Sequence, residues 1–560
     1  MKIIGFQSGH DVSYCVLENG VPVIHEELER FTREKEPLGD GLEMFFERMP
    51  DEEAKSFKYF THGNPFNRIG AKYGPVCGKE EPFNKMNQII KDNDGEYFII
   101  GHHQTHAANA FFSSNFDEAL IITIDGSGTE KVNWQDHHRE SHELGPVDTP
   151  DGILHSAFTF WEGKGNKIKP IKRINMFECT LGSPYKVFTR EIFKLSDGHP
   201  HGFQGGTVMA MACMGDSNIY WKDFYNSIKA GGGGPSGPNL ALAQKYRKML
   251  DDSNDNEKLK FNIAAGLQRA VEVIAQEYMT PIIEELKPKN ICMAGGVVLN
   301  SVMVGKMYDW YDGIVENIFV APVPYDGGLS IGAAQYVYHQ ILDYPRVKWN
   351  DNASSYLGCS YDLEDVQEAL KNVDGKVTTQ EIDDDGVVDL LSKDDNVISV
   401  FGGGSESGRR ALGNRSILAD PRSPDMKDII NEKVKHRQWF RPFAPSILRE
   451  DVKDWFERDV DSPYMTSVIK FKESVRDKVP AVVHFDGSAR LQTVTENDNK
   501  WYYDFIKKFK DKTGVPILLN TSFNDREPIV ETPDHAIDCF LRTNIDYLYF
   551  REFGILVKKA

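Results

Sequence analysis

Three times along this chain an apolar, strand-forming run ends in a short turn of small and polar residues. Residues 2–6 (KIIGF) enter the polar loop 7–11 (QSGHD), residues 119–130 (ALIITIDGSGTE) carry Asp-Gly-Ser-Gly at the strand's end, and residues 290–300 (NICMAGGVVLN) enter a Gly-Gly turn. The first unit continues as a hairpin, with β-rich residues 12–17, an Asn19-Gly20 turn and a second strand at 21–25. Helical stretches such as 261–286 separate the units. A strand that reads out into small polar residues, repeated with helices between, predicts a duplicated α/β architecture with a cleft between its halves.

The chain has 560 residues, well above a single domain of roughly 100–150 residues, so at least two domains are expected. The polar, proline-containing stretch 344–355 is the natural boundary, giving domains at 1–350 and 351–560. Beyond it, helices at 363–370 and 386–391 and strands at 396–401, 515–520 and 547–550 predict a second α/β domain, whereas the glycine-rich stretch 231–238 reads as a surface excursion inside the first. The net charge of −19 argues against nucleic-acid or anionic-membrane partners, both of which need a basic surface. Neither a signal peptide nor a run of 18 apolar residues is present, and the seven scattered cysteines form no C-x-x-C pair; a cytoplasmic protein with reduced thiols is expected.

Against that acidic background, residues 401–446 gather Arg409, Arg410, Arg415, Lys435, Arg437 and Arg441 around a glycine-rich turn. Guanidinium forks, a lysine point charge and turn amides form an anion site, and it is not a P-loop because the Walker pattern is missing. A charged helix face is the blander reading of Lys433–Arg437, but Arg441 sits among Trp, Phe and Pro. His102 and His106, four apart at a helix start, share one face and make a metal-ligand pair for divalent iron or zinc, with Asp125 and Asp326 at strand ends completing the set. His103 points away from that face. His10 and Asp11 place a candidate general base or phosphate contact in the first turn, and Gly295 and Gly296 allow close backbone approach to a nucleotide. Asp486–Arg490 and Leu519–Phe523 add an arginine and polar groups near strand ends of the second domain.

Taken in order, SGHDVSYCVLENG, HHQTHAANAFFSS, TIDGSG, CMAGGVVLN, PYDGG, RRALGNRSILADPRSPDMKDIIN, WFRPFAPS, FDGSARLQTV and LLNTSFN resemble the O-carbamoyltransferases of the nodulation-factor and antibiotic-tailoring type, over nearly the whole chain. The resemblance implies an N-terminal actin-like (ASKHA, duplicated ribonuclease-H-like) domain and a C-terminal YrdC-like α/β domain. It implies that carbamoyl phosphate and ATP, with Mg²⁺, give carbamoyladenylate and pyrophosphate in the C-terminal domain, on Arg410, Arg415, Lys435, Arg441, Arg490, Asn520 and Ser522. The carbamoyl group then passes to a hydroxyl of a small-molecule acceptor (a sugar, nucleoside or natural-product scaffold) in the N-terminal domain, with release of AMP. There His102, His106, Asp125 and Asp326 would hold Fe²⁺ or another divalent metal, His10 or Asp11 would act as base, and Gly126, Ser127, Gly295, Gly296, Asn300 and Gly327 would contact nucleotide. A homodimer is left open. The chain departs from the family pattern at Gly404, where an arginine is usual, at Arg409, where a proline is, and at Thr207, where a lysine is common; Arg409 would compensate the charge missing at Gly404, and Thr207 with the polar insertion 133–143 points to an unusual pocket. A threonylcarbamoyl-type transferase acting on tRNA or protein, a hydrogenase-maturation relative and a non-enzymatic nucleotide-binding regulator are the alternatives; the missing C-x-x-C pairs and the acidic charge count against the first two.

Overall fold

A computed structural model describes residues 1–64, 80–129, 139–140 (backbone only), 155–196, 203–231, 237–348, 355–393 and 395–560. Cys77, the side chains of 133–143 and most of the 231–238 excursion lie outside these. The chain divides into two compact units. The first comprises Met1–Glu29, Lys35–Met303 and Met307–Trp349; the second comprises Arg30–Glu34, Val304–Lys306 and Asn350–Ala560.

The first unit holds two sheets. One contains β1 (Lys2–Gln7), β2 (Ser13–Glu18), β3 (Val21–Glu27), β4 (Tyr59–His62), β5 (Glu96–Ile99) and β7 (Arg139–Glu140), in the order β3-β2-β1-β4-β5-β7. The other contains β6 (Glu118–Thr129), β8 (His155–Lys164), β9 (Lys167–Asn175), β10 (Asn290–Ala294) and β11 (Asn317–Val320), in the order β11-β10-β6-β8-β9. In each, the leading strand pairs antiparallel with its successor, which pairs antiparallel with the next, while the leading strand's other edge takes a parallel strand and then another. That shared order and direction is the duplication expected from the repeated turns, and it is the actin-like arrangement.

Two helices form the buried centre of this unit. Every residue of His102–Phe112 and of Leu329–Tyr336 is buried, so neither shows the one-sided apolar stripe of a surface helix. Glycines let them close on each other and on β1: a Cβ on Gly5 would lie 1.9 Å from the Ser330 carbonyl oxygen, and one on Gly332 would lie 2.1 Å from that of Thr105. Ile3, Phe98, Phe111, Ile121, Trp161, Cys292 and Tyr336 join one apolar cluster there.

The second unit is built on a nine-stranded mixed sheet. Its strands are β12 (Val377–Glu381), β13 (Ile398–Phe401), β14 (Arg415–Ala419), β15 (Ala444–Leu448), β16 (Ser467–Lys470), β17 (Ser488–Val494), β18 (Ile517–Ser522), β19 (Tyr547–Phe550) and β20 (Ile555–Lys559). They run in the order β12-β20-β19-β13-β14-β18-β15-β17-β16. Helices Lys500–Thr513 and Pro533–Arg542 each bury one apolar face, the first through Tyr502, Phe505, Ile506 and Phe509, the second through Ala536, Ile537, Cys539 and Phe540. Both halves of the chain are therefore α/β. Among the described residues the six cysteines are free, and no helix is long and apolar enough to cross a membrane.

Candidate functional site

In the first unit, His102, His106, Asp125 and Asp326 each offer one ligand atom, and these atoms lie within 4.8 Å of one another. Local sequence explains the convergence. The helix starts at His102 directly after the extended Gly101, so His102 and His106 fall one turn apart on one face. Asp125 does not end a strand, as the sequence suggested. β6 runs on to Thr129, and a register shift between Ile124 and Gly128 bulges the Asp-Gly-Ser-Gly stretch out of the ladder. Asp326 opens a single 3₁₀ turn, Asp326–Gly328, ahead of the second central helix. Ser13 Oγ and the His25 ring contact the Gly327 carbonyl at 2.7 and 2.9 Å, which pins that turn to the first sheet.

His102 Nε2 lies 2.9 Å from Asp125 Oδ2, 3.2 Å from His106 Nε2 and 3.5 Å from Asp326 Oδ1. His106 Nε2 lies 3.3 Å from Asp125 Oδ2 and 3.5 Å from Asp326 Oδ1. Burial by itself would lower the His106 pKa, but its hydrogen bonds to Asp125 and Asp326 outweigh that and raise it to about 9. Asp125 is held well below the usual carboxylate range: burial opposes this, and the two imidazoles overcome it. His103 faces elsewhere, with Nδ1 3.0 Å from Thr123 Oγ1 and 3.2 Å from Thr159 Oγ1; burial and then His102 push its pKa far down.

The donor set fits a divalent cation. Ligands about 2.1 Å from one ion stand roughly 3.0–3.4 Å apart when adjacent, and the observed separations of 2.9–3.5 Å match. The two imidazole nitrogens stand 3.2 Å apart in a buried site, beside two carboxylates whose charge a bound cation would offset. Two nitrogen and two oxygen ligands suit iron, zinc or manganese.

His10 stands beside this cluster, its Nδ1 2.9 Å from Asp11 Oδ2 and its Nε2 3.5 Å from Asp326 Oδ2, with 46 % of its side chain accessible. Burial opposes protonation, but the Asp11 hydrogen bond and the Asp326 charge prevail and raise its pKa to about 10. A base role for His10 therefore requires one of those carboxylates to be engaged elsewhere.

The residues expected to contact nucleotide divide into two kinds. Gly295 has φ +104, and a Cβ there would lie 2.2 Å from the Ile124 carbonyl oxygen; one on Gly296 would lie 3.0 Å from Asp125 Oδ1. Both glycines thus bring backbone against the metal-ligand strand. The Gly126 carbonyl accepts from Thr180 Oγ1 (2.6 Å) and Ser183 Oγ (3.3 Å), and Ser127 is exposed. Gly327 abuts Glu27. Asn300 is different: its Oδ1 caps the helix Ser301–Trp310 through the Met303 amide, and its amide is paired with Gln268 at 2.9 and 3.0 Å. It supports the local fold. Thr207 is buried, with its hydroxyl 3.2 Å from Gln204 Oε1.

The second unit gathers the opposite charge. Arg490 on β17 is half-buried; desolvation of its guanidinium first, and then the charges of Arg410, Arg441 and Arg437, push its pKa well below the ordinary value. Arg437 is lowered in the same way, by burial and then Arg441. Neither Arg437 nor Arg490 has a carboxylate partner among the described residues. Like charges held this close need an anion.

Two sequence expectations change here. The amides of the glycine-rich turn were expected to cradle phosphate, but Glu406 occupies them: its Oε1 accepts from Leu412 N (2.7 Å), Asn414 N (2.8 Å) and Arg415 N (3.1 Å). Arg415, expected among the anion contacts, is fully buried and donates to the carbonyls of Gly402, Gly403, Asn414 and Cys359 while lying 3.7 Å from the Phe401 ring centroid. It holds the turn. Lys435 Nζ bonds the Ser522 carbonyl and lies 2.9 and 2.6 Å from Asn524 O and Oδ1. Asn520 Nδ2 is engaged by Ala411 O, Ser446 Oγ and Gln492 Oε1, so of its amide only Oδ1 lacks a partner. Sequence reading missed Glu406, Asn524 and His484. Glu406 carried a signal, an acid set between the glycines and the first arginines of the basic stretch; Asn524 and His484 carried none.

The carbamoyltransferase N-terminus family pattern matches residues 51–335 and the carbamoyltransferase C-terminus pattern matches residues 389–558. Nodulation protein U of Sinorhizobium fredii is 36 % identical over 572 residues, covering 94 % of each chain. Nodulation protein NolO of Bradyrhizobium diazoefficiens is 33 % identical over 479 residues, covering 82 % of this chain and 79 % of its own. An uncharacterized protein of Methanocaldococcus jannaschii is 28 % identical over 567 residues, covering 99 % of both.

Proposed function

Because this chain belongs to the carbamoyltransferase family, we propose that it is an ATP-dependent O-carbamoyltransferase that divides its reaction between its two units. The observation that supports this reading is the pairing of opposite chemistries: a cation-binding cluster of histidines and carboxylates in the first unit and a cluster of crowded guanidiniums in the second.

In the second unit Arg410, Arg437, Arg441 and Arg490 bind the phosphates of carbamoyl phosphate and ATP. For atoms to balance, the phosphoryl group of carbamoyl phosphate leaves as orthophosphate when water adds. A carbamate oxygen then displaces pyrophosphate from the α-phosphorus, giving carbamoyladenylate. Lys435, fixed by Ser522 and Asn524, presents a positive charge at the end of β18.

In the first unit the acceptor is a hydroxyl of a small molecule. Its oxygen attacks the carbamoyl carbon, the bond to the adenylate oxygen breaks with its electron pair leaving on AMP, and the hydroxyl proton passes to the His10–Asp11 pair. His102, His106, Asp125 and Asp326 would hold a divalent ion, iron(II) by family likeness, whose chemistry there is Lewis-acid polarisation of the carbamoyl oxygen. Burial of the ligand cluster also limits loss of the labile carbamoyl group to water.

The test is exchange of labelled pyrophosphate into ATP by the full-length protein. Exchange that depends on carbamoyl phosphate is expected; its absence across Mg²⁺, Mn²⁺ and Fe²⁺ would sink the adenylate route.

A further inference from the structure

A lysine that the reading so far leaves unused stands one helical turn from Ser183, which contacts the bulged strand end next to Asp125. The helix Gly182–Glu191 starts against the bulged strand end: a Cβ on Gly182 would lie 2.8 Å from the Gly126 Cα, and Ser183 Oγ lies 3.3 Å from the Gly126 carbonyl oxygen. Lys186 follows Ser183 by three residues, so the two share a helix face. Ser183, on that face, contacts the turn next to Asp125. Three charged groups act on the Lys186 ammonium: Glu36 and Asp11 from other segments, and Arg190 one turn along the same helix.

The ammonium is half-buried, and its only described contact is the Phe203 ring, 6.0 Å from centroid to Nζ. No hydrogen bond or ion pair holds it among the described residues. Other lysines among the described residues close ion pairs with nearby carboxylates, as Lys85 does with Asp51 at 2.7 Å and Lys508 with Asp385 at 2.7 Å. Lys186 feels two carboxylates and pairs with neither. A half-buried ammonium left in this way is poised for an anion that arrives with the substrate.

We infer that Lys186 binds the phosphate of the carbamoyladenylate in the first unit and stays with it as AMP departs. This rests on the adenylate reading above and extends it to a named group. When the carbonyl carbon–oxygen bond of the adenylate breaks, the electron pair goes to the phosphate oxygen, and a fixed ammonium stabilises the negative charge that develops there. Lys186 gives up no proton in this step, since the acceptor's proton goes to the His10–Asp11 pair. Burial lowers the Lys186 pKa, and Glu36 and Asp11 offset part of that lowering.

The experiment is calorimetric titration of the full-length protein with AMP and, separately, with adenosine, for wild type, Lys186→Met and Lys186→Arg. It uses no carbamoyl phosphate, so it succeeds or fails independently of pyrophosphate exchange. AMP binding about tenfold weaker in Lys186→Met, adenosine binding unchanged and AMP binding within about threefold of wild type in Lys186→Arg is the expected pattern. AMP binding that the methionine leaves intact, adenosine binding weakened as much as AMP, or no AMP binding by the wild type would each overturn the assignment.

Discussion

The two charged clusters solve opposite problems. In the first unit two imidazoles and two carboxylates converge until each histidine nitrogen lies within 3.5 Å of an acid oxygen, an arrangement that a cation completes. In the second, the half-buried Arg490 stands among three further arginines, an arrangement that an anion completes. The supporting structure is reversed as well. The acidic cluster rests on regular elements, a helix start, a strand bulge and a 3₁₀ turn, whereas the basic cluster surrounds an irregular loop whose amides are held from within by a carboxylate, Glu406. A site that binds a small, hard ion needs rigid ligands; one that binds a polyanion needs a charged pocket and a loop that cannot collapse.

The sharpest way to break this comparison is to remove one ligand from each side. His106→Ala should lower carbamoyl transfer to an acceptor by at least about 100-fold and reduce bound metal, while carbamoyl-phosphate-dependent pyrophosphate exchange stays within about twofold of wild type. Arg490→Ala and Arg410→Ala should do the reverse, reducing exchange by about 100-fold or more with metal content by elemental analysis unchanged. If the alanine at 106 and those at 410 and 490 abolished the same half-reaction, the division of labour would be wrong.

A smaller effect addresses the loop. Glu406→Ala leaves the amides of Leu412, Asn414 and Arg415 without an acceptor in a buried turn, and should lower stability by about 2–4 kcal/mol in a denaturant titration. Glu406→Gln retains an acceptor oxygen and should lose less than half of that. Equal losses for the two variants would mean the carboxylate's charge, rather than its hydrogen bonds, holds the turn.

The smallest effect is on pH dependence. Burial lowers the His484 pKa to about 4, with Asp486 opposing and then Arg490 and Lys427 contributing. Since an unfolded histidine titrates near 6.5, the unfolded chain binds more protons than the folded one between pH 6.5 and 4. Stability attributable to this group is complete above about pH 6.5 and falls as the pH drops toward 4. His484→Gln should flatten that slope by about 1 kcal/mol, read from thermal midpoints across the window; an unchanged slope would assign the acid sensitivity to other groups.

Much of the acidic site was legible in the sequence because each ligand lies at a position that local rules can place. An HxxxH pair at a helix start puts two rings on one face wherever the helix goes, and the duplicated strand units appear in the structure as two sheets of the same order. The acids were legible as candidates, but the bulge that lifts Asp125 was not, because a bulge depends on pairing with β8, which comes into register with β6 at Gly128–Ser156 only after the strands meet. Arg415 shows the opposite case. Its residue type and neighbours read as an anion contact, yet its guanidinium is enclosed by main-chain carbonyls. Residue type gives the charge; only packing says whether that charge faces a ligand or the protein itself.

The sequence by itself determined the α/β class, the repeated strand-to-turn unit, the residue types of both charged clusters and the family, since periodicity, turn chemistry and short ordered motifs are local properties. Tertiary structure decided which of those charges are available. Arg415 and Asn300 went into the scaffold, Glu406 took the amides expected to cradle phosphate, and Lys186 was left half-buried with no hydrogen bond or ion pair among the described residues. The physical reason is that burial and hydrogen-bond satisfaction depend on groups far apart in the chain, and a buried polar atom's role is set by what it meets there.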